Sequence, residues 1–190
     1  NLQIKKEDII LGYLGSIGTW YMLDEMLIFF KKLLTKEPNA KFLFITPDPP
    51  EPIKEVAIKY NIPIDKIVIS KASRSEVPSF LSLSHVAIYF IKPCFSKKAS
   101  SPTKQAEILS MGIPLITNSG IGDTDQILTQ NKAGIILHDF NEESFDNAVE
   151  KFNEIRSVSP EKIRNVALTY FSLESGVHKY NTIYKSLANK

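Results

Sequence analysis

Six short apolar runs, each followed by a stretch with helical periodicity, predict a doubly wound α/β fold: one parallel six-stranded sheet with helices on both faces. The runs fall at residues 9–14, 41–45, 67–69, 86–91, 114–117 and 135–137. They are apolar almost throughout rather than alternating, which is the pattern of strands buried on both faces. No internal repeat or low-complexity linker interrupts them, so residues 1–190 read as a single domain.

The elements follow in order. The first run ends at Gly15, and Gly12, Gly15 and Gly18 recur at a spacing of three. Met22, Leu23, Met26, Leu27, Phe30, Leu33 and Leu34 then mark one helical face. Asp24 and Glu25 lie early in that helix and Lys31, Lys32 and Lys36 late, as the helix dipole favours, and Pro38-Asn39 ends it. A proline-rich turn at residues 46–52 leads into a helix at 53–60, with Ile53, Val56, Ala57 and Tyr60 on one side. Ser75 is expected to cap a short helix at 77–83, with Glu76 in its first turn. Ser101 is expected to cap the next helix, with Pro102 at its first position, Gly112 as its stop and Pro114 just beyond. Asp123 or Thr124 opens a helix running to 129, and residues 131–134 form a turn. The tail reads as helices at 142–153, 160–170 behind Ser159, and about 173–188 behind Ser172.

Composition sets bounds on function. A chain of 190 residues with 43% hydrophobic and 23% charged residues is an ordinary globular domain. Its net charge of +2 is too small for a strong nucleic-acid field. The single cysteine, Cys94, allows no internal disulfide, which fits a reducing, cytoplasmic setting. No apolar run approaches the 18 or so residues of a membrane span, and the polar N-terminus is not a signal peptide. The absence of an initial Met is what a piece of a longer protein would show.

The chemistry concentrates in residues 99–118. A strand, loop and helix start in succession offer free backbone N–H groups and a positive dipole end, which together favour an anion. Ser100, Ser101 and Thr103 add hydroxyls, while Lys97, Lys98 and Lys104 add charge. Glu107, three residues beyond Lys104, is placed to meet a polar part of the same ligand. This combination reads as a nucleoside-diphosphate cradle. In a doubly wound sheet, ligands bind beyond the carboxyl ends of the strands. The loops at Gly15, at Lys71 to Arg74, at Ser100 to Lys104 and at residues 119–123 all belong to that edge.

These residues resemble the C-terminal, donor-binding domain of family 4 (group 1) glycosyltransferases of the two-domain GT-B fold, whose domains are Rossmann-like. The likeness runs in order through Tyr13-Leu14-Gly15-Ser16-Ile17-Gly18, Glu76-Val77-Pro78, Ser101-Pro102-Thr103-Lys104, Glu107, Met111-Gly112-Ile113-Pro114 and Gly120-Ile121-Gly122-Asp123-Thr124. It implies a retaining transferase acting in cell-surface glycan or polysaccharide synthesis, with a UDP- or GDP-linked sugar as donor and no separate cofactor. By resemblance Glu107 holds the donor ribose, residues 101–104 bind the diphosphate, the Gly15, Ser16 and Gly18 loop flanks it, and Lys71 to Arg74 meet the base. The resemblance also implies an N-terminal acceptor domain outside this chain, so that the isolated domain is inactive and membrane contact belongs to the full-length protein. The last helix, with Leu173, Val177, Tyr180, Ile183, Tyr184 and Leu187 in one stripe, would cross to that domain.

Three features depart from the family pattern. Ala99 stands where a second glutamate is usual, eight residues before Glu107, which leaves the sugar unspecified. The first loop, Ser16-Ile17-Gly18-Thr19-Trp20, lacks the usual Arg and Lys, so phosphate neutralisation falls to Lys104, with Lys97, Lys98 or Arg74 as further candidates. The acceptor domain's share of the active site is absent, and no catalytic residue is assigned.

The same residues bear on other function classes. The glycine spacing is not the dinucleotide fingerprint, and no acidic residue closes the second strand, which disfavours a nicotinamide enzyme. A flavodoxin-like regulatory domain would carry acidic residues at the end of the first strand, where Tyr13 to Ser16 stand. A sugar-nucleotide epimerase of the same fold is a further alternative. Asp123 and Asp125 read as a cap and a dipole partner, and His85, His138 and His178 lack ligand spacing, so no metal is expected. Cys94 reads as a small buried residue and His85 as structural.

Overall fold

The computed structural model describes residues 2–188. Six strands form one sheet: β1 (Ile9–Leu14), β2 (Ala40–Ile45), β3 (Ile67–Ser70), β4 (Val86–Ile88), β5 (Leu115–Asn118) and β6 (Gly134–Leu137). Their order is β3-β2-β1-β4-β5-β6, and every pairing is parallel. Helices α1 (Leu23–Lys36), α2 (Glu51–Lys59), α3 (Val77–Leu81), α4 (Thr103–Ser110) and α5 (Thr124–Asn131) make the crossovers. The tail adds α6 (Glu142–Glu150), α7 (Phe152–Arg156), α8 (Pro160–Phe171) and α9 (Leu173–Ala188). Helix α1 packs with α2 and α6, whereas α4 and α5 pack with α8. Right-handed crossovers place those two sets on opposite faces, because the chain moves outward in one direction through β3 and in the other through β6.

The core explains the strand composition. Phe42 and Phe44 of β2 are fully buried with ring centroids 4.1 Å apart, and Phe30 of α1 packs on Phe42 at 5.2 Å. On α1 the buried set is Met26, Leu27, Phe29, Phe30 and Leu33. Phe29 meets Phe145 of α6, and the neighbouring Lys32 closes the same contact with Asp146 at 2.6 Å. His85 plays a structural part: its Nδ1 accepts the Ile10 N–H at 3.0 Å, tying β1 to the segment before β4.

The strand order reverses between β1 and β4, and there the sheet opens. β1 pairs with β2 along its whole length, up to Leu14 with Ile45. Toward β4 it pairs only through Leu11 and Gly12. Beyond that point the β1–α1 loop enters: the Met22 N–H donates to Phe90 O, the Lys92 N–H to Trp20 O, and Tyr21 bridges Ile91. This is why the regular strand stops at Ile88, short of the expected residue 91. Asn118 replaces the missing ladder, its Oδ1 accepting the Ile91 N–H at 2.8 Å and its Nδ2 donating to Ile91 O at 3.0 Å.

Several local expectations are corrected. The residue before α4 is Pro102, in extended conformation, and Ser101 does not cap the helix. Helix α3 begins after Glu76 rather than under a Ser75 cap; the Glu76 carboxylate instead reaches back to accept the N–H and O–H of Ser73. The helix foreseen at 142–153 is two, α6 and α7, which turn at Lys151 so that Phe152 and Ile155 enter the core.

Gly112 does stop α4, with φ +75°. A Cβ there would lie 2.8 Å from both Cβ and O of Pro160, at the start of α8. Gly112→Ala combines left-handed strain with a backbone overlap and is expected to lower unfolding free energy by about 2–4 kcal/mol in chemical denaturation.

Helix α9 buries no side chain: Leu173, Tyr180 and Leu187 are 82%, 66% and 61% exposed. A 16-residue helix that buries no side chain is marginal in water. Its amides are therefore expected to exchange within the fast, fraying class in native-state hydrogen exchange, while those of β1 and β2 exchange only on global unfolding.

Candidate functional site

Four loops meet at the carboxyl ends of the strands, around the opening between β1 and β4. From β1 comes the glycine loop. Gly15 adopts φ +111°, and its N–H donates to Ile45 O at 2.9 Å. Ser16 and Gly18 are exposed, and the Gly18 N–H lies 3.3 Å from Ser16 Oγ. Asp48, from the loop after β2, holds this turn: its carboxylate accepts the Ile17 N–H at 2.6 Å and the Ser16 hydroxyl at 2.7 Å.

From β4, through a 3-10 turn at Phe95–Ala99, comes the start of α4. The N–H groups of Thr103 and Lys104 donate to no protein acceptor among the described residues, as the first turn of a helix leaves them. The loop after β5 seals this turn from the side. The Gly122 N–H donates to Lys97 O at 3.0 Å, and a Cβ on Gly122 would fall 1.9 Å from Ser100 O, so only glycine admits the approach.

Lys104 departs most from expectation. It is 7% exposed, not a solvated residue at an open helix start. Its side chain runs back across the opening to the glycine loop, where a Cβ on Gly15 would lie 2.9 Å from Nζ. Nζ sits 3.6 Å from the ring centre of Tyr21, 4.6 Å from Tyr13 and 5.7 Å from Tyr89, and 3.4 Å from the Tyr13 hydroxyl. That hydroxyl donates in turn to Ser16 O. Burial pushes the Lys104 amine down to about 7, with Glu107 pulling weakly the other way. The same burial pushes the phenols of Tyr13, Tyr21 and Tyr89 up, so all three stay neutral around it.

Glu107 projects from the next turn of α4, with its side chain 29% exposed. Its Oε1 meets Arg74 Nη1 at 2.7 Å, so two of the expected donor contacts are paired with one another. They border an apolar groove between α3 and α4, lined by Val77, Pro78, Leu81 and Met111.

The expected residues therefore divide. Gly15, Ser16, Gly18, Ser100, Ser101, Pro102, Thr103 and Lys104 surround the opening, and Arg74 and Glu107 lie on its α3–α4 side. Lys71 lines a groove near the outer strand β3 with Pro50, Lys54 and Asp48, the carboxylate that also holds the glycine turn. Lys97 and Lys98 rest over aromatic faces, Nζ lying 4.4 Å from the ring centre of Trp20 and 5.8 Å from that of Phe95, contacts that leave their charges intact. Sequence reasoning missed Asp48 and the tyrosine cage. Asp48 sits in a stretch that reads as a plain proline turn, and Tyr13 sits in a run that reads as core.

Cys94 is half-exposed, not buried, with Sγ 3.3 Å from Ser96 Oγ. Among the described residues, no group of three metal-ligating side chains converges and no helix is long and apolar enough to cross a membrane.

The sequence profile of the glycosyl transferases group 1 matches residues 1–167. The chain belongs to that family, and its fold is that of the C-terminal domain of the GT-B architecture. No curated protein sequence is matched. Among solved structures, the chain is similar to WaaG, a glycosyltransferase involved in lipopolysaccharide biosynthesis. That match has 17% identity and a TM-score of 0.71, over 88% of this chain and 45% of that one. It is similar to sucrose-phosphate synthase from Thermosynechococcus elongatus at 13% identity and a TM-score of 0.74, over 99% and 47% of the two chains. It is also similar to the pneumococcal O-GlcNAc transferase GtfA, solved with UDP and GlcNAc, at 13% identity and a TM-score of 0.73, over 100% and 38%. The chain thus spans less than half of each of these structures, and at such identities the likeness is one of fold.

Proposed function

We propose that this chain is the donor-binding half of a retaining glycosyltransferase, taking a UDP- or GDP-linked sugar at the opening between β1 and β4. The observation that carries this reading is the convergence at one helix start of unpaired α4 amides, the buried Lys104 amine and the glycine turn held by Asp48. A pyrophosphate suits those groups, because amide dipoles and an amine both answer negative charge. Glu107, a carboxylate one turn further on, suits the two ribose hydroxyls as hydrogen-bond donors. Arg74 beside it suits the base.

The chemistry follows from charge. When the glycosidic bond to the diphosphate breaks, the bonding electrons leave with the phosphate oxygen. Preorganised N–H groups and an ammonium stabilise that charge as it develops, as an oxyanion hole does. This chain's residues then need no metal ion or separate cofactor at the leaving group. The acceptor and the groups that act on the sugar belong to an N-terminal domain, so this chain alone binds nucleotide without transferring sugar. The exposed stripe of α9 is the surface that such a domain would cover. Family membership and the lipopolysaccharide role of WaaG support a place in the synthesis of cell-surface polysaccharide, and the lone cysteine fits a reducing, cytoplasmic setting.

Calorimetric titration with UDP, GDP, ADP and CMP tests the reading. Saturable binding of UDP or GDP without sugar transfer is the expected result. Binding of none of the four, or turnover by this chain alone, would overturn it.

A further inference from the structure

Two charged side chains among the described residues are buried, and they are treated differently. Asp8 is paired with Lys41 at 3.1 Å. Lys104 has no carboxylate within ion-pair distance among the described residues: Glu107, the acidic group of its own helix α4, is engaged by Arg74. The groups facing the amine are the phenols of Tyr13 on β1, Tyr21 in the β1–α1 loop and Tyr89 beyond β4. Asp48 and Asp123 lie near enough to raise the phenols of Tyr13 and Tyr89 respectively, and neither pairs with the amine. A charged amine left in such a place without a counter-ion is disfavoured by desolvation. The tyrosine faces offset part of that penalty by cation–π attraction. The cage therefore accepts the amine in either state, and a nearby anion decides which.

We infer that Lys104 takes up a proton from solvent when the donor pyrophosphate binds, so that the ligand itself creates the countercharge that holds it. The inference rests on the donor-site reading above and assigns Lys104 its chemical state in each step. The amine, R–NH2 in the empty site, becomes R–NH3+ beside the diphosphate and returns the proton when the nucleoside diphosphate leaves. Its position against Gly15 supports this, since the amine lies on the glycine turn and belongs to the same helix start as the unpaired amides of Thr103 and Lys104. Burial that brings the amine to about 7 agrees with a neutral resting form above neutral pH.

The test is calorimetric titration of UDP and GDP at about pH 8, where the ligands' own phosphates are fully ionised, in buffers of different ionisation enthalpy. The dependence of the observed heat on the buffer counts protons exchanged with solvent. The expected result is an uptake close to one proton per nucleotide bound. Lys104→Met should bind more weakly with no uptake. Lys104→Arg, whose guanidinium stays charged, should show none either where it binds. Tight binding by the parent chain with heats independent of buffer would overturn the inference and leave the donor site standing. Absence of binding by UDP and GDP would instead remove the donor site, and this inference with it.

Discussion

Lys104→Met is expected to stabilise the free protein while weakening its hold on a nucleoside diphosphate. In the folded state burial lowers the amine from its ordinary 10.5 to about 7. Between those values the unfolded chain binds the proton and the folded chain does not, so stability rises with pH across that window. Below about pH 7 the fold carries the whole penalty of a charged, unpaired amine. Met fills the same space, favours contact with aromatic rings and has nothing to protonate. Unfolding free energy near pH 6 should therefore rise by on the order of 1–3 kcal/mol, the tyrosine faces having already offset part of the penalty. The climb in stability between pH 7 and 10 should disappear. Binding should move the other way. A charge-assisted contact contributes roughly 1.5–3 kcal/mol, so affinity for UDP or GDP should fall about tenfold to a hundredfold. The loss should persist at higher salt, because a buried charge is screened far less than an exposed one. Denaturant titrations across pH check the first half and calorimetry the second.

Glu107→Gln should leave stability within about 1 kcal/mol, since its partner Arg74 has a side chain 88% exposed and surface pairs contribute little. Its effect should fall on the ribose. Gln keeps the size and helix propensity but loses the charge that accepts hydroxyl hydrogen bonds. Affinity for UDP or GDP is therefore expected to drop about tenfold to a hundredfold. The 2′-deoxy nucleotides lack one of those hydroxyls and should lose much less on substitution. Equal losses for ribose and deoxyribose forms would mean that Glu107 acts on something other than the sugar hydroxyls.

Most of the scaffold was legible because its signals are local or periodic. Continuous apolar runs mark strands covered on both faces, and Gly112 followed by Pro114 marks the end of α4 with its left-handed turn. What escaped is non-local. Ser101-Pro102 satisfies every local rule for a helix cap, yet contact of the Gly122 loop with Ser100 O fixes the turn and leaves Pro102 in the position before the helix. Lys104 looks like any polar residue of a first helical turn. Its burial depends on Tyr13 and Tyr21, far earlier in the chain, and on Gly15 having no Cβ. Residues 86–91 look like one strand, but the loop that wedges beside Phe90 and Ile91 belongs to a different crossover. The site was thus readable where it follows from the helix start, and unreadable where other strands supply the partners of its side chains.

The central claim is that a nucleoside diphosphate binds where β1 and β4 part. Amide chemical-shift mapping during titration with UDP or GDP tests it most directly. The largest shifts are expected to cluster at Gly15 to Gly18, at Arg74 and its neighbours, and at Ser101 to Glu107, with Thr103 and Lys104 amides moving most. Shifts centred on the groove beside β6, around Lys132, His138 and Lys151, with the glycine turn and the start of α4 unmoved, would contradict it.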